Sequence, residues 1–280
     1  MKRNLLRVVC NPYTSTMSYY FKNEIGEWNV LSGNSPLSRQ YYTNTSVQER
    51  SKDILSIIDE IYNRKNKGVD ILFEGTIENF NVFSNTIKNE FAESDIKCTL
   101  GTTKIAVLGK KASGKTTLIE SLEDFKGFKY SKVEGNGFVV YSDECNHAQW
   151  YEIQGIDLGK DEIDKAYRTV KELSKEKLLV VIYCISSISG RIEDIERELI
   201  KRIADDFSEL KVMVALTMCY KDDEEVQESI DEIEKITNQL KIVPVLAKGY
   251  TTALRGTDGN VIVIEPAGLD MLSQYVFEER

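Results

Sequence analysis

An eight-residue segment near the middle of the chain limits the fold more than any other part of the sequence, because it fits the pattern GxxxxGK[ST]. The pattern follows the apolar run KIAVL and precedes a segment of helical character, which is the context that a phosphate-binding loop requires. The segment consists of Gly109, Lys110, Lys111, Ala112, Ser113, Gly114, Lys115 and Thr116. We therefore expect a strand, a phosphate-binding loop and a helix in this order.

Each residue type in this segment has a chemical reason to be there. Phosphate oxygens need several backbone N–H donors at close range, and Gly109 and Gly114 let the chain curl without a Cβ in the way. Lys115 supplies a positive charge between the β- and γ-phosphates, and the Thr116 hydroxyl is a ligand for Mg²⁺. We add the neighbouring Thr117 to the nucleotide-binding set.

Residues 104–280 alternate apolar runs with amphipathic segments. Near-continuous apolar strands between helices predict a mostly parallel sheet with helices on both faces. TDGNVIVIEP is expected to extend around a turn, and GLDMLSQYVFEE to form a closing helix. The predicted strands contain KIAVLG, GFVVY, WYEIQ, LLVVIYCIS, KVMVALTM and KIVPVLA, and the predicted helices begin at Lys115 or cover 161–175, 191–207 and 222–239.

Residues 1–100 have a different pattern, which predicts a separate small α/β domain of unknown role. Ser46 and Glu49 form a capping box before a helix that ends near Gly68. A β-α-β unit follows up to residue 100, with Phe80, Phe83, Ile87 and Phe91 on one helix face. The other predicted strands are NLLRVVC, SYYFK and EWNVL, and Gly101-Thr102-Thr103 is the expected domain boundary.

Composition narrows the function classes. The chain has 36 Lys and Arg against 45 Asp and Glu, a net charge of −9, which argues against nucleic acid as the main partner. Its five cysteines are scattered without a CxxC pair and indicate a reduced, cytoplasmic protein. Because no apolar run approaches the ~18 residues of a membrane helix, we expect no membrane span.

Residues 104–280 resemble the G domain of the translation-factor-related (TRAFAC) bacterial GTPases, on the phosphate loop and three later segments. In that family a DxxG motif holds Mg²⁺ and contacts the γ-phosphate, and Glu152-Ile153-Gln154-Gly155 is the best match, with Glu in place of Asp. The resemblance implies a P-loop G-domain fold. It also implies that Glu152 and Thr116 hold the metal, and that Gly155 acts with Lys115 on the γ-phosphate.

The resemblance extends to the base-binding segments of the family. Thr217-Met218-Cys219-Tyr220 lies where [NT]KxD is expected, and Leu246-Ala247-Lys248 where SAK is expected. The implied base contacts are therefore Thr217, Met218, Tyr220, Ala247 and Lys248. Met218 and Tyr220 replace the lysine and the aspartate, and Asp222 is an alternative acid. GTP and GDP are the expected ligands, without exclusion of ATP.

Two further departures from the family concern hydrolysis. There is no threonine between Thr117 and Thr169 to serve as the metal ligand of switch I, and Ser131 and Ser142 are unassigned substitutes. Ile156 follows Gly155 and cannot orient water.

A metal pair at Cys145 and His147 is disfavoured, because the sequence has no cluster of further metal ligands to go with it. Arg191 and Arg255 are the candidate γ-phosphate stabilisers.

Together with the phosphate loop, the resemblance implies a Mg²⁺-dependent, slow GTPase that acts as a regulatory switch. The alternatives are a nucleotide-gated or catalytically inactive interaction module and, less favoured, a P-loop kinase for a small molecule. Kinases of that kind usually have an arginine-bearing lid, and no arginine lies between Arg64 and Arg168. A protein partner is expected at the N-terminal domain or the switch regions, and homo-oligomerisation stays open.

Overall fold

The computed structural model describes residues 4–10, 17–22, 28–30, 68–92, 95–124, 130–135, 137–143, 148–156, 159–175, 180–189, 192–207, 210–219, 223–237, 240–255 and 261–277. The chain divides into two units. Unit 1 contains Met1–Thr103, Asp143–Ala148 and Gln274–Arg280, and unit 2 contains Lys104–Ser142 and Gln149–Ser273. The helix predicted to begin at Ser46 lies outside the described residues, and the predicted division into domains at 1–100 and 104–280 stays a prediction.

Unit 1 is built on a sheet of five described strands in the order β3-β2-β1-β4-β5. The strand β1 pairs antiparallel with β2 and parallel with β4, and β4 pairs parallel with β5. The strands are β1 (Asn4–Cys10), β2 (Met17–Lys22), β3 (Trp28–Val30), β4 (Val69–Glu74) and β5 (Ile96–Gly101).

The helix α1 (Ile77–Glu90) connects the parallel strands β4 and β5. Thr76 caps it, because the Thr76 side chain accepts a hydrogen bond of 3.0 Å from the backbone N–H of Asn79. Phe83 and Ile87, one turn apart on the helix, are buried against the apolar side chains of β1 and β4. The predicted β-α-β unit is therefore present, with a hydrophobic core between α1 and its sheet.

Unit 2 is built on a sheet of seven described strands in the order β12-β11-β10-β6-β9-β8-β7. The pairs β6–β10, β10–β11 and β11–β12 are parallel, and a parallel bridge joins Lys110 to Ile156 just beyond β6 and β9. The strands are β6 (Thr103–Gly109), β7 (Tyr130–Glu134), β8 (Phe138–Asp143), β9 (Ala148–Ile153), β10 (Val180–Ser186), β11 (Lys211–Thr217) and β12 (Lys241–Val245).

Helices cover both faces of the parallel part of this sheet. Along β10, Val181, Tyr183 and Ile185 belong to one core cluster with side chains of α3 and α4, and the alternate residues Ile182 and Cys184 are equally buried on the opposite face. The helices of unit 2 are α2 (Lys115–Asp124), α3 (Lys160–Ser174), α4 (Asp194–Asp206) and α5 (Asp223–Thr237), and a further helix, α6 (Leu269–Phe277), begins in unit 2. The α/β fold class predicted from the sequence, with a mostly parallel sheet, is confirmed.

Two strands were missed by the sequence patterns. Four residues of β7, Ser131 to Glu134, are exposed, so the strand has no apolar signature. The strand β13 (Tyr250–Arg255) pairs antiparallel with β14 (Val261–Ile264), and only β14 belongs to the predicted TDGNVIVIEP extension.

No helix in the described part of the chain combines the length and the apolar character that a bilayer crossing requires.

A buried ion pair joins β1 to β4. Arg7 donates two hydrogen bonds to Glu74, from Nε to Oε1 at 2.9 Å and from Nη2 to Oε2 at 2.8 Å, and both side chains are almost fully buried. Tyr20 of β2 places its ring centroid 5.7 Å from the Arg7 guanidinium carbon. Removal of one partner leaves a buried charge without its counterion.

We expect Arg7→Met or Glu74→Leu, each alone, to lower the free energy of opening of β1 and β4 by about 3–5 kcal/mol. Amide hydrogen exchange of peptides from these strands measures this, with Lys88→Met on the exposed face of α1 as the control. The double variant should cost less than either single variant, because it removes both charges. Additive losses in the double variant would contradict the prediction.

Candidate functional site

The segment predicted to bind phosphate connects the end of β6 to the start of α2. Gly109 has a φ of +149° and Gly114 a φ of +82°, which L side chains rarely adopt. A Cβ on Gly109 would collide with the backbone oxygen of Cys184 in β10, and one on Gly114 would lie 3.3 Å from the hydroxyl of Thr217 in β11. The loop therefore needs glycine at both positions to lie this close to the ends of the neighbouring strands.

Thr217 ties this loop to the sheet. Its hydroxyl lies 2.7 Å from the backbone oxygen of Ser113 and 3.1 Å from that of Ile185, and the side chain is buried. In the described part of the chain, the buried hydroxyl of Ser113 itself has no hydrogen-bond partner. In the structure the Thr217 hydroxyl thus lies between the loop and β10, and the contact of Thr217 with the base stays a prediction.

The ammonium of Lys115 lies at the loop backbone. Lys115 Nζ donates to the carbonyl oxygen of Lys110 at 2.7 Å and to that of Gly109 at 3.2 Å, and the residue is only 5% exposed. Burial lowers the pKa of Lys115, and the electrostatic influence of the nearby Cys184 and Glu152 opposes this shift. Among the described residues, the acceptors of the Lys115 ammonium are backbone carbonyl oxygens, so this cation is favourably placed to gain from a bound anion.

The side chain of Lys110 is held by α4. Its Nζ lies 2.6 Å from Glu196 Oε2 and 3.3 Å from Glu193 Oε1, and Glu196 also accepts a 3.0 Å hydrogen bond from the Tyr183 hydroxyl. Burial lowers the pKa of Lys110, but the hydrogen bond and charge of Glu196, followed by those of Glu193, outweigh it and raise the pKa. While this ion pair is made, the Lys110 ammonium is not free to neutralise a phosphate.

Thr116 and Glu152, the predicted metal ligands, are in direct contact. The Thr116 hydroxyl donates to Glu152 Oε1 at 2.6 Å, and the Tyr141 hydroxyl donates to Glu152 Oε2 at 2.7 Å. Burial raises the pKa of Tyr141, as do the hydrogen bond and the charge of Glu152. A hydroxyl beside a carboxylate is an oxygen donor set that fits Mg²⁺. No group of three or more His, Cys, Asp or Glu with metal-binding geometry occurs among the described residues.

The structure places Gly155 against the loop. A Cβ on Gly155 would lie 2.7 Å from Lys111 Cγ and 2.9 Å from the Lys111 backbone nitrogen. The backbone N–H of Ile156 donates to the Gly109 oxygen at 3.2 Å, and the Ile156 side chain is buried. Close backbone packing thus brings the predicted γ-phosphate residue to the phosphate loop.

The predicted base-contacting residues follow the ends of β11 and β12. Met218 has a φ of +57° and its Cε lies 3.5 Å from the position of a Cβ on Gly114. Leu246 pairs with Ala267 just beyond β12. Of the two residues that follow Leu246, Ala247 is nearly buried and Lys248 is exposed. Tyr220, predicted to replace the base-binding aspartate, lies outside the described residues. The structure therefore brings Met218 to the phosphate loop.

A cavity of about 360 Å³ lies beside the loop. It is lined by Ala112 and Met218, the two non-glycine residues of the described chain with positive φ, and by Lys110 and Glu196. Positive φ in such residues costs energy, and strain of this kind clusters at functional sites. The exposed Lys111 and the buried Ser113 also line it.

The remaining candidates are placed as follows. Thr117 is half-buried in the first turn of α2, Ser131 is exposed in β7, and Ser142 lies in β8. Arg255 ends β13, but its side chain is not described. Cys145, His147, Arg191 and Asp222 lie outside the described residues.

The sheet order, together with a phosphate loop between the strand β6 and the helix α2, defines a P-loop G-domain fold. No protein-family model matches the chain, and no curated protein sequence matches it. Similar solved structures include the FeoB G-domain from Methanococcus jannaschii, with 18% identity, coverage of 63% of this chain and 96% of that chain, and a TM-score of 0.35.

Two further similar structures are the cytosolic domain of T. maritima FeoB and a mutant of S. thermophilus NFeoB. The domain of the T. maritima FeoB iron transporter in its GMPPNP form has 20% identity, coverage of 64% of this chain and 63% of that chain, and a TM-score of 0.38. A mutant of S. thermophilus NFeoB bound to GDP has 16% identity, coverage of 64% of this chain and 63% of that chain, and a TM-score of 0.41. The chain thus spans less than two thirds of the length of both.

We expect Lys110→Met to lower the free energy of unfolding of unit 2 by about 1–3 kcal/mol, because Glu196 is buried and would lose its cation. Lys201→Met, at an exposed lysine of α4, should change it by less than about 0.5 kcal/mol. Urea denaturation measures both in a Trp28→Phe background, where the buried Trp150 of β9 reports fluorescence. Equal losses in the two variants would contradict this role of Lys110.

Proposed function

We propose that this chain binds GTP and GDP with Mg²⁺ at the loop from Gly109 to Thr116, hydrolyses GTP slowly and acts as a regulatory switch in the cytoplasm. The observation that carries the proposal is the loop itself, closely packed between β6 and α2 with the buried ammonium of Lys115 at its backbone. The N-terminus of α2 adds its positive end to this anion site.

In this proposal each residue of the loop has a defined task. The loop amides and Lys115 bind the phosphates, and Thr116 with Glu152 would hold Mg²⁺, which neutralises charge on the phosphate oxygens when bound. Gly155 lies against Lys111, where its backbone N–H could reach the γ-phosphate. The resemblance to TRAFAC G domains supports these assignments.

In this proposal the base site prefers guanine less strongly than a complete [NT]KxD motif does. An aspartate accepts two guanine N–H donors, and charged hydrogen bonds are worth about 1.5–3 kcal/mol each. Tyr220 cannot supply such an acceptor, and Met218 replaces the lysine. Lys248 and the backbone N–H of Ala247 are still present to bind the guanine carbonyl oxygen. GTP is therefore the preferred ligand, with less discrimination against ATP than a complete motif provides.

Lys115→Ala is expected to weaken GTP binding by at least about 100-fold, because the phosphates lose their buried cation, while the fold survives. Titration of the full chain with fluorescent GTP, GDP and ATP analogues measures this and the base preference together. Lys235→Ala, at an exposed lysine in the last turn of α5, is the matched control. Unchanged affinity in folded Lys115→Ala would overturn the nucleotide site.

Intrinsic hydrolysis is expected at or below about 10⁻³ per second, the level of unaided GTPases. The reason is that Ile156, next to Gly155, is apolar and buried and cannot orient water. Single-turnover phosphate release from the purified chain measures the rate, and Lys115→Ala gives the background. Turnover of about 1 per second or more by the chain alone, the kinase range, would contradict the proposal.

A nucleotide-gated or catalytically inactive interaction module is the second candidate. It is favoured by the replacement of the base-binding lysine by Met218 and by the lack of a threonine between Thr117 and Thr169 in the sequence. We propose that a protein partner binds residues 1–100 or the switch regions. Binding of GTP without any release of phosphate in the single-turnover experiment would favour this second function.

A further inference from the structure

The carboxylate of Glu152 is held on both sides. Its Oε1 accepts from Thr116 of the phosphate loop, and its Oε2 accepts from the hydroxyl of Tyr141 at 2.7 Å. Tyr141 comes from β8, which is the neighbour of β9 in the sheet. The sequence patterns assigned no role to Tyr141.

The length of the Glu152 side chain makes this second contact necessary. Glutamate has one more methylene and one more rotatable bond than aspartate, so its carboxylate loses more freedom when it is fixed in one orientation. A carboxylate only accepts hydrogen bonds, and the Thr116 hydroxyl restrains just one of its two oxygens. A donor on the other oxygen restrains the plane of the whole group.

The side chain of Tyr141 holds its donor hydroxyl in a fixed position. Its side chain is fully buried, with a relative exposure of 0%, and the ammonium of Lys132 lies 5.0 Å from its ring centroid. Tyrosine has only two side-chain torsions, and packing on all sides fixes both. The burial of the ring in the sheet therefore holds the hydroxyl at Glu152.

We propose that Tyr141 is a positioning residue that orients the Glu152 carboxylate towards Thr116 and thereby sets the affinity of the site for Mg²⁺. This inference rests on the proposed function, since it concerns the same metal and nucleotide site. Groups that hold a metal ligand in place typically change metal affinity by about 10–100-fold when they are removed.

The test is Tyr141→Phe in the full chain, which removes the hydroxyl and keeps the ring. We expect the Mg²⁺ concentration for half-maximal fluorescent GTP binding to rise by about 10–100-fold, with GTP affinity in EDTA changed by less than about 2-fold. Tyr151→Phe is the matched control, because the Tyr151 hydroxyl of β9 bonds to Gln149 at 2.9 Å instead. It should leave the Mg²⁺ dependence unchanged.

A double-variant cycle tests whether Tyr141 acts through Glu152. Glu152→Gln should raise the Mg²⁺ requirement, and adding Tyr141→Phe should raise it no further. If Tyr141→Phe does not fold, Glu152→Asp keeps the tyrosine and withdraws the carboxylate from it. We expect it to raise the Mg²⁺ requirement as well, and an unchanged requirement would count against the proposal.

The outcomes separate this proposal from the proposed function. A folded Tyr141→Phe variant with the Mg²⁺ dependence of the natural chain overturns the positioning role and leaves the nucleotide site intact. An equal loss of affinity with Mg²⁺ and in EDTA also overturns it, since that result shows general damage to the loop. A natural chain that binds no nucleotide overturns the proposed function and this inference together.

Discussion

The close approach of the phosphate loop to the ends of β10 and β11 is the constraint on which the candidate site depends. Gly109 passes so near the Cys184 carbonyl that no side chain fits between them, and Thr217 holds Ser113 from the next strand. In parallel sheets the carboxyl ends of the strands meet at one edge, where ligands commonly bind. The position of the loop is thus set by backbone packing before any charge is considered.

The two lysines of this loop, Lys110 and Lys115, have different kinds of hydrogen-bond partner. Lys115 has carbonyl oxygens around it, so its charge is available to an anion. Lys110 is paired with two glutamates at the start of α4, so its charge joins the loop to that helix. We propose that the same residue type serves binding in one position and stability in the other, because the partners differ.

Two departures from the G-domain pattern, at Glu152 and at Met218, have different surroundings in the structure. Glu152 is longer than the expected aspartate, and Tyr141 supplies the contact that holds its second oxygen. Met218 cannot act as the expected lysine, yet it keeps a positive φ beside Gly114. The first departure has a partner that holds the longer side chain, and the second removes the charge of the expected lysine.

The order of strands and helices and the position of the loop could be read from the sequence, because apolar periodicity and a glycine-rich motif are local signals. The strand β7 could not, since its exposed residues form a strand only by pairing with β8. The ion pairs Lys110–Glu196 and Arg7–Glu74 and the contact from Tyr141 to Glu152 were also absent from the patterns. Each joins residues on different elements of the chain, and which side chains face one another across strands and helices is decided only when these elements pack.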